Sequence, residues 1–232
     1  EHGYDALRDR GYSDLQPLGR FNADYALQLT SKEEELMRAI RNGLYGAGVP
    51  VENSKGEAEA GQEEINIRYS DALDTADMHA IVKMACKDIA NAQARAVTFM
   101  ARYADGRAGS SSHIHQSLTR DGVPAFYDAS GEHGMAATMK SYLAGLLAHA
   151  EATTVFLAPY ANSYQRFTDR LFAPTNAVWS MDNRTAGFRV CGADTKGVRA
   201  ECRIGGADLN PHLALAAQVA AGLDGVERGL EL

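Results

Sequence analysis

The sequence predicts an α+β fold, in which helices and antiparallel strands are mixed along the chain. Three observations lead to this prediction. Apolar residues recur at helical spacing in several long segments, polar and apolar residues alternate in several short ones, and the Asp121-Gly122 pair is typical of a tight hairpin turn. With 232 residues, 45% of them apolar, the chain is long enough to bury a sizeable core.

Four segments have helical spacing: 31–48, 74–95, 133–157 and the stretch from Pro211 onward. Ser31 and Glu34 have the spacing of a capping box at the start of the first segment, and Pro50 limits its end. Proline at position 211 suits the first position of the last helix.

Five shorter segments are predicted to be strands because their residues alternate or are rich in strand-forming types: 62–69, 97–103, 110–118, 184–191 and 200–204. We therefore expect an antiparallel sheet, a partial barrel flanked by helices, in a single catalytic domain over residues 1–232. The chain contains neither an internal repeat nor a low-complexity tract.

Composition excludes several classes of protein. A net charge of -7, without any run of more than two basic residues, argues against nucleic-acid binding. No apolar run approaches the roughly 20 residues of a membrane span. Cys86, Cys191 and Cys202 are scattered, so neither a disulfide framework nor a zinc knuckle is indicated, and a cytoplasmic location is predicted.

The first candidate site consists of Glu57 and Glu64 in the segment GEAEAGQEE. Gly61 lies between them, and a bend there would bring both carboxylates to one point. Glu63 and Glu64 are neighbours on a strand and face opposite ways, so only one of them can enter a site. The ordinary interpretation of such a segment is a solvated acidic hairpin.

The second candidate is His113-Ile114-His115, where both imidazoles share one strand face and Ile114 points to the core. The pair could bind a metal ion and a phosphate, or it could belong to a polar surface strand.

Arginines and one more carboxylate complete the candidates. Arg199, Glu201 and Arg203 alternate along one strand, as an ion pair or as a metal ligand between phosphate contacts. Arg184 and Arg189 have opposite parity on a strand, so a shared site requires a bulge at Gly187. Arg166, in the segment NSYQRF, is the remaining candidate.

Together these residue types suit ATP chemistry. Carboxylate oxygens bind hard divalent ions such as Mg²⁺ or Mn²⁺, and arginines stabilise the charge that moves in phosphoryl transfer. The sequence has neither a Gly-rich P-loop nor the motifs of protein kinases. If ATP binds, a different fold holds it.

Five segments in order resemble the glutamine synthetase family: VENSKGEAEAGQEEI, GSSSHIHQSL, NSYQRF, NRTAGFRV and AECRIGGADLNPHLALAAQVAAGLDG. One such match would be weak, whereas five in the same order are specific. The resemblance implies an ATP-dependent ligase that converts the glutamate side chain to an acyl phosphate, which an amine then attacks.

The resemblance also implies roles for individual residues. The metal ligands would be Glu57 and Glu64 at one ion and His113 and Glu201 at the other. The glutamate contacts would be Gly109, Arg166 and Arg203. The nucleotide and phosphoryl contacts would be His115, Ser117, Arg184, Arg189, Lys196 and Arg199, with Arg166, Arg184 and Arg189 counted as catalytic.

The sequence departs from ordinary glutamine synthetase at three places. Phe172 occupies the position of a flap glutamate before an Ala-Pro pair, and Ala108 replaces an asparagine. We expect the chain to be truncated at both ends, without the small N-terminal domain and without an upstream strand that supplies two acidic ligands. The isolated chain is then expected to fold without forming the amide.

The first two departures resemble relatives that use organic amines. The leading interpretation is therefore a γ-glutamyl-amine ligase that uses glutamate, ATP and Mg²⁺ or Mn²⁺. The alternatives are ordinary glutamine synthetase, with ammonia as acceptor, and a non-catalytic structural or regulatory relative. The full-length protein is expected to be a ring-forming homo-oligomer with shared active sites.

Overall fold

A computed structural model describes residues 3–168 and 173–232. The chain divides into two compact units. Unit 1 comprises Glu1–Phe99 with Gly106–Ala108, and unit 2 comprises Met100–Asp105 with Gly109–Leu232. Helices and strands are mixed in both, which confirms the predicted α+β class.

Unit 1 packs helices against a two-stranded antiparallel sheet. Its elements are α1 (Tyr4–Asp9), α2 (Leu27–Thr30), α3 (Glu34–Gly46), β1 (Val51–Gly56), β2 (Glu63–Ile67) and α4 (Ala72–Ala92). Leu36, Ile40 and Leu44 recur every four residues on α3, and all three are buried. They meet Val82 and Cys86 of α4 in the core of the unit, as the helical spacing of both segments predicts.

The predicted capping box at Ser31 is wrong. Ser31 follows α2 in helical conformation, with φ -66° and ψ -17°, whereas an N-cap requires an extended backbone. Its hydroxyl donates back to the carbonyl of Gln28, 3.0 Å away. Helix α3 begins at Glu34 instead, without a side-chain cap.

The strand predicted over 97–103 is also wrong. The backbone N–H and C=O of Val97 both bond to the hydroxyl of Tyr4, at 2.9 Å each, instead of to a neighbouring strand. A side chain from α1 thus satisfies the groups that a sheet would otherwise pair.

In unit 2 the helices are α5 (Ala137–Ala148), α6 (Ala150–Leu157), α7 (Ala161–Tyr164) and α8 (Pro211–Arg228). The long helix predicted over 133–157 is interrupted at His149, where φ is -104° and ψ is 6°. A Cβ on Gly145 would lie 2.8 Å from the Cα of Gly225, so α5 and α8 lie nearly backbone to backbone. The side chain of Asn210 caps α8, which confirms its predicted start.

A four-stranded sheet forms the other part of unit 2. Its strands are β3 (Ile114–Gln116), β6 (Trp179–Met181), β7 (Phe188–Cys191) and β8 (Arg199–Cys202), in the order β3-β8-β7-β6. The strands predicted over 110–118, 184–191 and 200–204 correspond to β3, β7 and β8, and each is shorter than expected. A separate hairpin, β4 (Thr119–Arg120) and β5 (Val123–Pro124), turns at Asp121 and Gly122, which both have positive φ, as predicted.

The sheet is not purely antiparallel, which corrects the prediction. Strand β8 runs antiparallel to β3 and β7, but β6 pairs with β7 in parallel. The paired stretch is only three residues long, about 10 Å, so the loop 182–187 can cover the return distance without a helix.

The three cysteines are free and buried. Within the described residues, no helix is long and apolar enough to cross a membrane.

Candidate active site

Glu57 and Glu64 lie at the turn of the β1–β2 hairpin in unit 1. Glu57 directly follows β1, and Glu64 lies in β2 opposite Lys55. Gly61, in the turn between them, has a φ of +72°, and a Cβ there would lie 2.8 Å from the backbone nitrogen of Leu18. Only glycine fits this turn, which brings the two carboxylates together as predicted from Gly61.

The ammonium of Lys55 lies among three carboxylates. Its Nζ is 2.7 Å from Oδ1 of Asp24 and 3.9 Å from Oε2 of Glu64, and it also donates to Oε1 of Glu57. The ring of Tyr25 lies on another side, 4.9 Å from Nζ. The hairpin thus holds a cation against the predicted pair of metal ligands.

Burial and a hydrogen bond with Glu64 raise the pKa of Glu57. Burial opposes the charged form of Lys55, but its bonds with Asp24 and Glu57 outweigh this and raise the pKa of the ammonium. The hairpin therefore combines carboxylates that repel each other with one fixed positive charge.

Sequence reasoning missed Glu59. Glu59 accepts hydrogen bonds from the backbone N–H of Ala108, at 2.8 Å, and from Arg107, at 3.0 Å, so it anchors residues 106–108 to the hairpin. The alternation Glu57-Ala58-Glu59 was a signal that could have identified it. Both carboxylate oxygens of Glu63 are buried without a hydrogen-bond partner among the described residues.

Glu201 is the centre of the cluster in unit 2. It lies in β8 with a side chain that is 2% exposed. Oε1 accepts from Nη1 of Arg203 at 2.6 Å, and Oε2 accepts from Nη1 of Arg189 at 3.1 Å. Burial opposes its charge, but the neighbouring guanidinium groups of Arg203 and Arg189 outweigh this and lower the pKa of Glu201.

His113 and His115 share one face, and Ile114 is buried on the other, as predicted. Nδ1 of His113 lies 3.4 Å and Nε2 of His115 lies 3.8 Å from Oε1 of Glu201. Burial, reinforced by Arg203, lowers the pKa of His113 to about 3. The imidazole of His113 is therefore uncharged at neutral pH, and burial also lowers the pKa of His115.

Arg166 is buried in the loop after α7. Its Nη2 donates to the carbonyl oxygens of Ile204 and, at 3.3 Å, of Arg203, while its Nε is buried without a partner within residues 3–168 and 173–232. Burial lowers the pKa of this guanidinium to about 10. A Cβ on Gly109 would lie 2.5 Å from Cγ of Arg166, so the glycine provides the space that this side chain fills.

The remaining candidates differ in how closely they join the cluster. Arg184 lies in a turn before β7, so the parity conflict with Arg189 and the bulge at Gly187 do not arise. Nε of Arg203 donates to the carbonyl of Arg184 at 2.9 Å, and Nε of Arg199 donates to Nδ1 of His115 at 3.1 Å. Ser117 and Lys196 are exposed.

The structure thus brings the candidates together in two groups. Unit 1 holds Glu57 and Glu64, and unit 2 holds the group around Glu201. Across residues 3–168 and 173–232, no three His, Cys, Asp or Glu side chains are arranged to hold a metal ion. Phe172 lies outside the described residues.

A family model described as "Glutamine synthetase, catalytic domain" matches residues 9–232. The chain belongs to the glutamine synthetase family. This confirms the resemblance carried by the five segments.

Curated members of the glutamine synthetase family are similar over nearly the whole chain. A gamma-glutamylethanolamide synthetase of Streptomyces coelicolor is 44% identical over 100% of the chain and 48% of its own length. A glutamine synthetase of Thermus thermophilus is 40% identical over 95% of the chain and 47% of its own length. A glutamate–isopropylamine ligase of a Pseudomonas species is 34% identical over 95% and 48%. The chain spans about half the length of these relatives.

The two groups differ in how well they suit the divalent ion that a glutamine synthetase implies. Glu57 and Glu64 fit it, because their oxygens converge on a point where the Lys55 ammonium already lies. His113 and Glu201 are suitable donors by type, but both oxygens of Glu201 are already engaged by arginines. Among the described residues, Glu201 therefore has no carboxylate oxygen left free of an arginine.

Proposed function

We propose that a full-length protein containing this chain is an ATP-dependent ligase that joins the side-chain carboxylate of glutamate to an amine. Membership of the glutamine synthetase family supports the reaction class. The observation that carries the proposal is the convergence of Glu57 and Glu64, the two residues that the family resemblance assigns to a metal ion, on one point that already accommodates a cation.

The reaction requires activation because a carboxylate is a poor electrophile. An oxygen of the glutamate side chain attacks the γ-phosphorus of ATP, ADP leaves, and an acyl phosphate forms. The amine nitrogen then attacks the carbonyl carbon, loses a proton, and inorganic phosphate leaves. Bound Mg²⁺ or Mn²⁺ would neutralise phosphate charge during the first step.

Roles follow for the candidate residues. We assign the binding of one metal ion to Glu57 and Glu64 and of a second to His113 and Glu201; the second requires Arg189 or Arg203 to turn away from Glu201. Gly109, Arg166 and Arg203 would bind glutamate. Arg184 and Arg189 would stabilise the transferring phosphoryl group, and His115, Ser117, Lys196 and Arg199 would contact the nucleotide.

The acceptor we propose is an organic amine. One relative is named for an ethanolamide product and another for isopropylamine as a substrate, which supports an organic amine as the acceptor. Phe172, in place of the flap glutamate, supports the same choice, because an apolar side chain favours methylene groups over ammonia. Ammonia is the second candidate, supported by the relative from Thermus thermophilus.

The test is a panel of amines with the full-length protein. Phosphate release is measured with ATP, glutamate, Mg²⁺ or Mn²⁺ and ammonia, methylamine, ethanolamine or putrescine. We expect kcat/KM for the best organic amine to exceed that for ammonia by about tenfold, the discrimination that one methylene group provides. A preference for ammonia would establish ordinary glutamine synthetase, and no release with any acceptor would indicate a non-catalytic relative.

A pair of variants tests the role of the carboxylates. Glu64→Gln removes a metal ligand and should lower kcat/KM about 100-fold, by analogy with disturbed metal sites. Glu52→Gln makes the same change on the exposed part of β1 and should leave kcat/KM as it is. Equal activity of both variants would remove Glu64 from the site.

We also propose that residues 1–232 form part of the catalytic domain, and that the full-length protein is a cytoplasmic, ring-forming homo-oligomer with shared active sites. The match to the catalytic-domain model over residues 9–232 supports the first statement. Sedimentation velocity of the full-length protein tests the assembly.

A further inference from the structure

The ammonium of Lys55 lies among three carboxylates, and the proposed function assigns two of them, Glu57 and Glu64, to a divalent ion. The ammonium bonds to Asp24 and Glu57 and lies 3.9 Å from Oε2 of Glu64. When all three carboxylates are ionised, they carry three negative charges against the one positive charge of Lys55. Lys55 therefore occupies part of the space, and cancels part of the charge, that a divalent ion would use at Glu57 and Glu64.

The local fold explains why Lys55 points there. Lys55 lies in β1 directly opposite Glu64 of β2, and Glu57 lies two residues farther on. Positions i and i+2 of an extended chain share a face, as do directly paired positions of neighbouring strands. The ammonium is thus delivered to the carboxylates by strand register and not by a chance rotamer.

Two contacts keep the ammonium at this place. Asp24, from the loop before α2, holds it at 2.7 Å, and the ring of Tyr25 lies 4.9 Å away. The Lys55 side chain is 30% exposed, and those of Asp24 and Glu57 are 25% and 26% exposed. Solvent therefore weakens the interaction only in part, and the charge of Lys55 acts on any second cation nearby.

We propose that Lys55 is a positioning residue that acts as a tethered cation: it holds Glu57 and Glu64 together without metal and limits their affinity for a divalent ion. This inference rests on the proposed function, which assigns a divalent ion to Glu57 and Glu64. It adds a residue that tunes that site without being a ligand.

The proposal predicts that one substitution, Lys55→Met, lowers the stability of the metal-free protein but raises its affinity for a divalent ion. Lys55→Met keeps the length and the apolar stem but removes the charge. Without metal, the three carboxylates lose their shared partner and repel each other, so the protein becomes less stable. With metal, the divalent ion no longer competes with a tethered cation, so it binds more tightly. A purely structural lysine would weaken both.

The experiment uses the full-length protein and Mn²⁺ alone as the probe. Isothermal titration calorimetry measures the dissociation constant, and thermal unfolding is recorded with EDTA and with saturating Mn²⁺. We expect Lys55→Met to lower the dissociation constant about tenfold, to lower the melting temperature in EDTA, and to enlarge the rise in melting temperature caused by Mn²⁺.

Three variants serve as controls. Lys55→Arg retains the charge and should bind Mn²⁺ as the wild type does. Lys87→Met removes one positive charge from an exposed position of α4, and should leave the dissociation constant within about twofold, which separates a local effect from net charge. Lys55→Gln, which still donates hydrogen bonds to the carboxylates, provides a second neutral variant if Lys55→Met folds poorly.

The outcomes distinguish the two proposals. Unchanged or weaker Mn²⁺ binding in both Lys55→Met and Lys55→Gln overturns the role of Lys55. If Glu64→Gln weakens Mn²⁺ binding in the same assay, the metal site itself stands despite that failure. If Glu64→Gln binds Mn²⁺ like the wild type, the assignment of the ion to Glu57 and Glu64 is wrong, and both proposals fail.

Discussion

The carboxylates of the two units are held in different ways. Glu57 and Glu64 lie at the turn of a two-stranded hairpin, with side chains 26% and 36% exposed, and share one lysine with Asp24. Glu201 lies inside a four-stranded sheet, is 2% exposed, and is bound by an arginine at each oxygen. The hairpin is suited to exchanging one cation for another, whereas the sheet fixes its carboxylate before any ligand arrives.

The difference is energetic as well as geometric. A partly exposed ion pair contributes little because water competes for both partners. A buried carboxylate has lost its water, so it depends on the guanidinium groups that replace it. The same side-chain type thus serves as an adjustable contact in unit 1 and as a structural element in unit 2.

The largest effect is expected from Glu201→Gln. Removing one partner of a buried ion pair costs about 3–5 kcal/mol, and we expect the lower end, about 3 kcal/mol, because Arg189 retains its pairing with Asp182. The matched variant Glu57→Gln should cost less than about 1 kcal/mol, since Lys55 keeps its bond with Asp24. Urea unfolding of both variants at pH 7.5 measures the two free energies.

Similar losses of unfolding free energy in Glu201→Gln and Glu57→Gln would contradict this difference between the two units. The sheet would then hold its carboxylate no more tightly than the hairpin does. A larger loss of unfolding free energy in Glu57→Gln than in Glu201→Gln would reverse the difference, and the hairpin would then be the more important of the two for stability.

Short-range patterns in the sequence predicted the local geometry of the candidate site well. Two-residue periodicity placed His113 and His115 on one face and Ile114 in the core, and Gly61 indicated the turn between Glu57 and Glu64. The role of Lys55 could not be predicted in this way, because it depends on Asp24, which lies 31 residues earlier in the chain. Alternation along one strand did place Arg203 beside Glu201, but the partners His115 of β3 and Arg189 of β7 depend on strand pairing that periodicity does not specify.

The fold shows the same limit. Helix α3 was predicted because its apolar repeat is a local signal. The segment 97–103 has strand-like composition, but the backbone of Val97 bonds to the side chain of Tyr4 and that of Arg102 to the side chain of Asn162. The interruption of the helical segment at His149 was missed because nothing in its apolar stripe changes there; the side chain of His149 instead reaches Asp224 of α8, at 2.7 Å.

A smaller effect is expected from pH, through His113. Its folded pKa is about 3, below the ordinary value of 6.5, so on acidification the unfolded chain binds the proton first. The free energy of unfolding should therefore fall as pH drops from 6.5 toward 3. Because the side chain is 28% exposed, we expect a loss of about 1 kcal/mol by pH 5.

The test compares urea unfolding at pH 7.5 and pH 5.0 in the wild type and in His113→Gln, which should lose this part of the pH dependence. His133→Asn is the control, because His133 is exposed and asparagine tolerates its φ of 57°. It should unfold with the pH dependence of the wild type. An unchanged pH dependence in His113→Gln would show that this imidazole is not held neutral.

The smallest effect, with the opposite pH dependence, is expected at Glu33 in unit 1. Glu33 is 5% exposed, its Oε2 has no hydrogen-bond partner in the described part of the chain, and burial raises its pKa. The folded state therefore keeps the proton at higher pH than the unfolded chain does, and stability falls as pH rises from the unfolded value of 4.5 through the raised folded value. A buried carboxylate oxygen without a partner costs about 1–3 kcal/mol, whereas the position of Glu33 at the start of α3 returns only about 0.3–1 kcal/mol through the helix dipole. Glu33→Gln should thus stabilise the protein by about 0.5–1 kcal/mol at pH 7.5 and have no effect at pH 4.0, in urea unfolding at each pH.

Glu35→Gln, at a side chain that is 80% exposed, should change neither value. Destabilisation by Glu33→Gln at pH 7.5 would mean that the carboxylate finds a cation in solution, for which Arg20 and Lys32, lining the same cavity of about 180 Å³, are the nearest candidates.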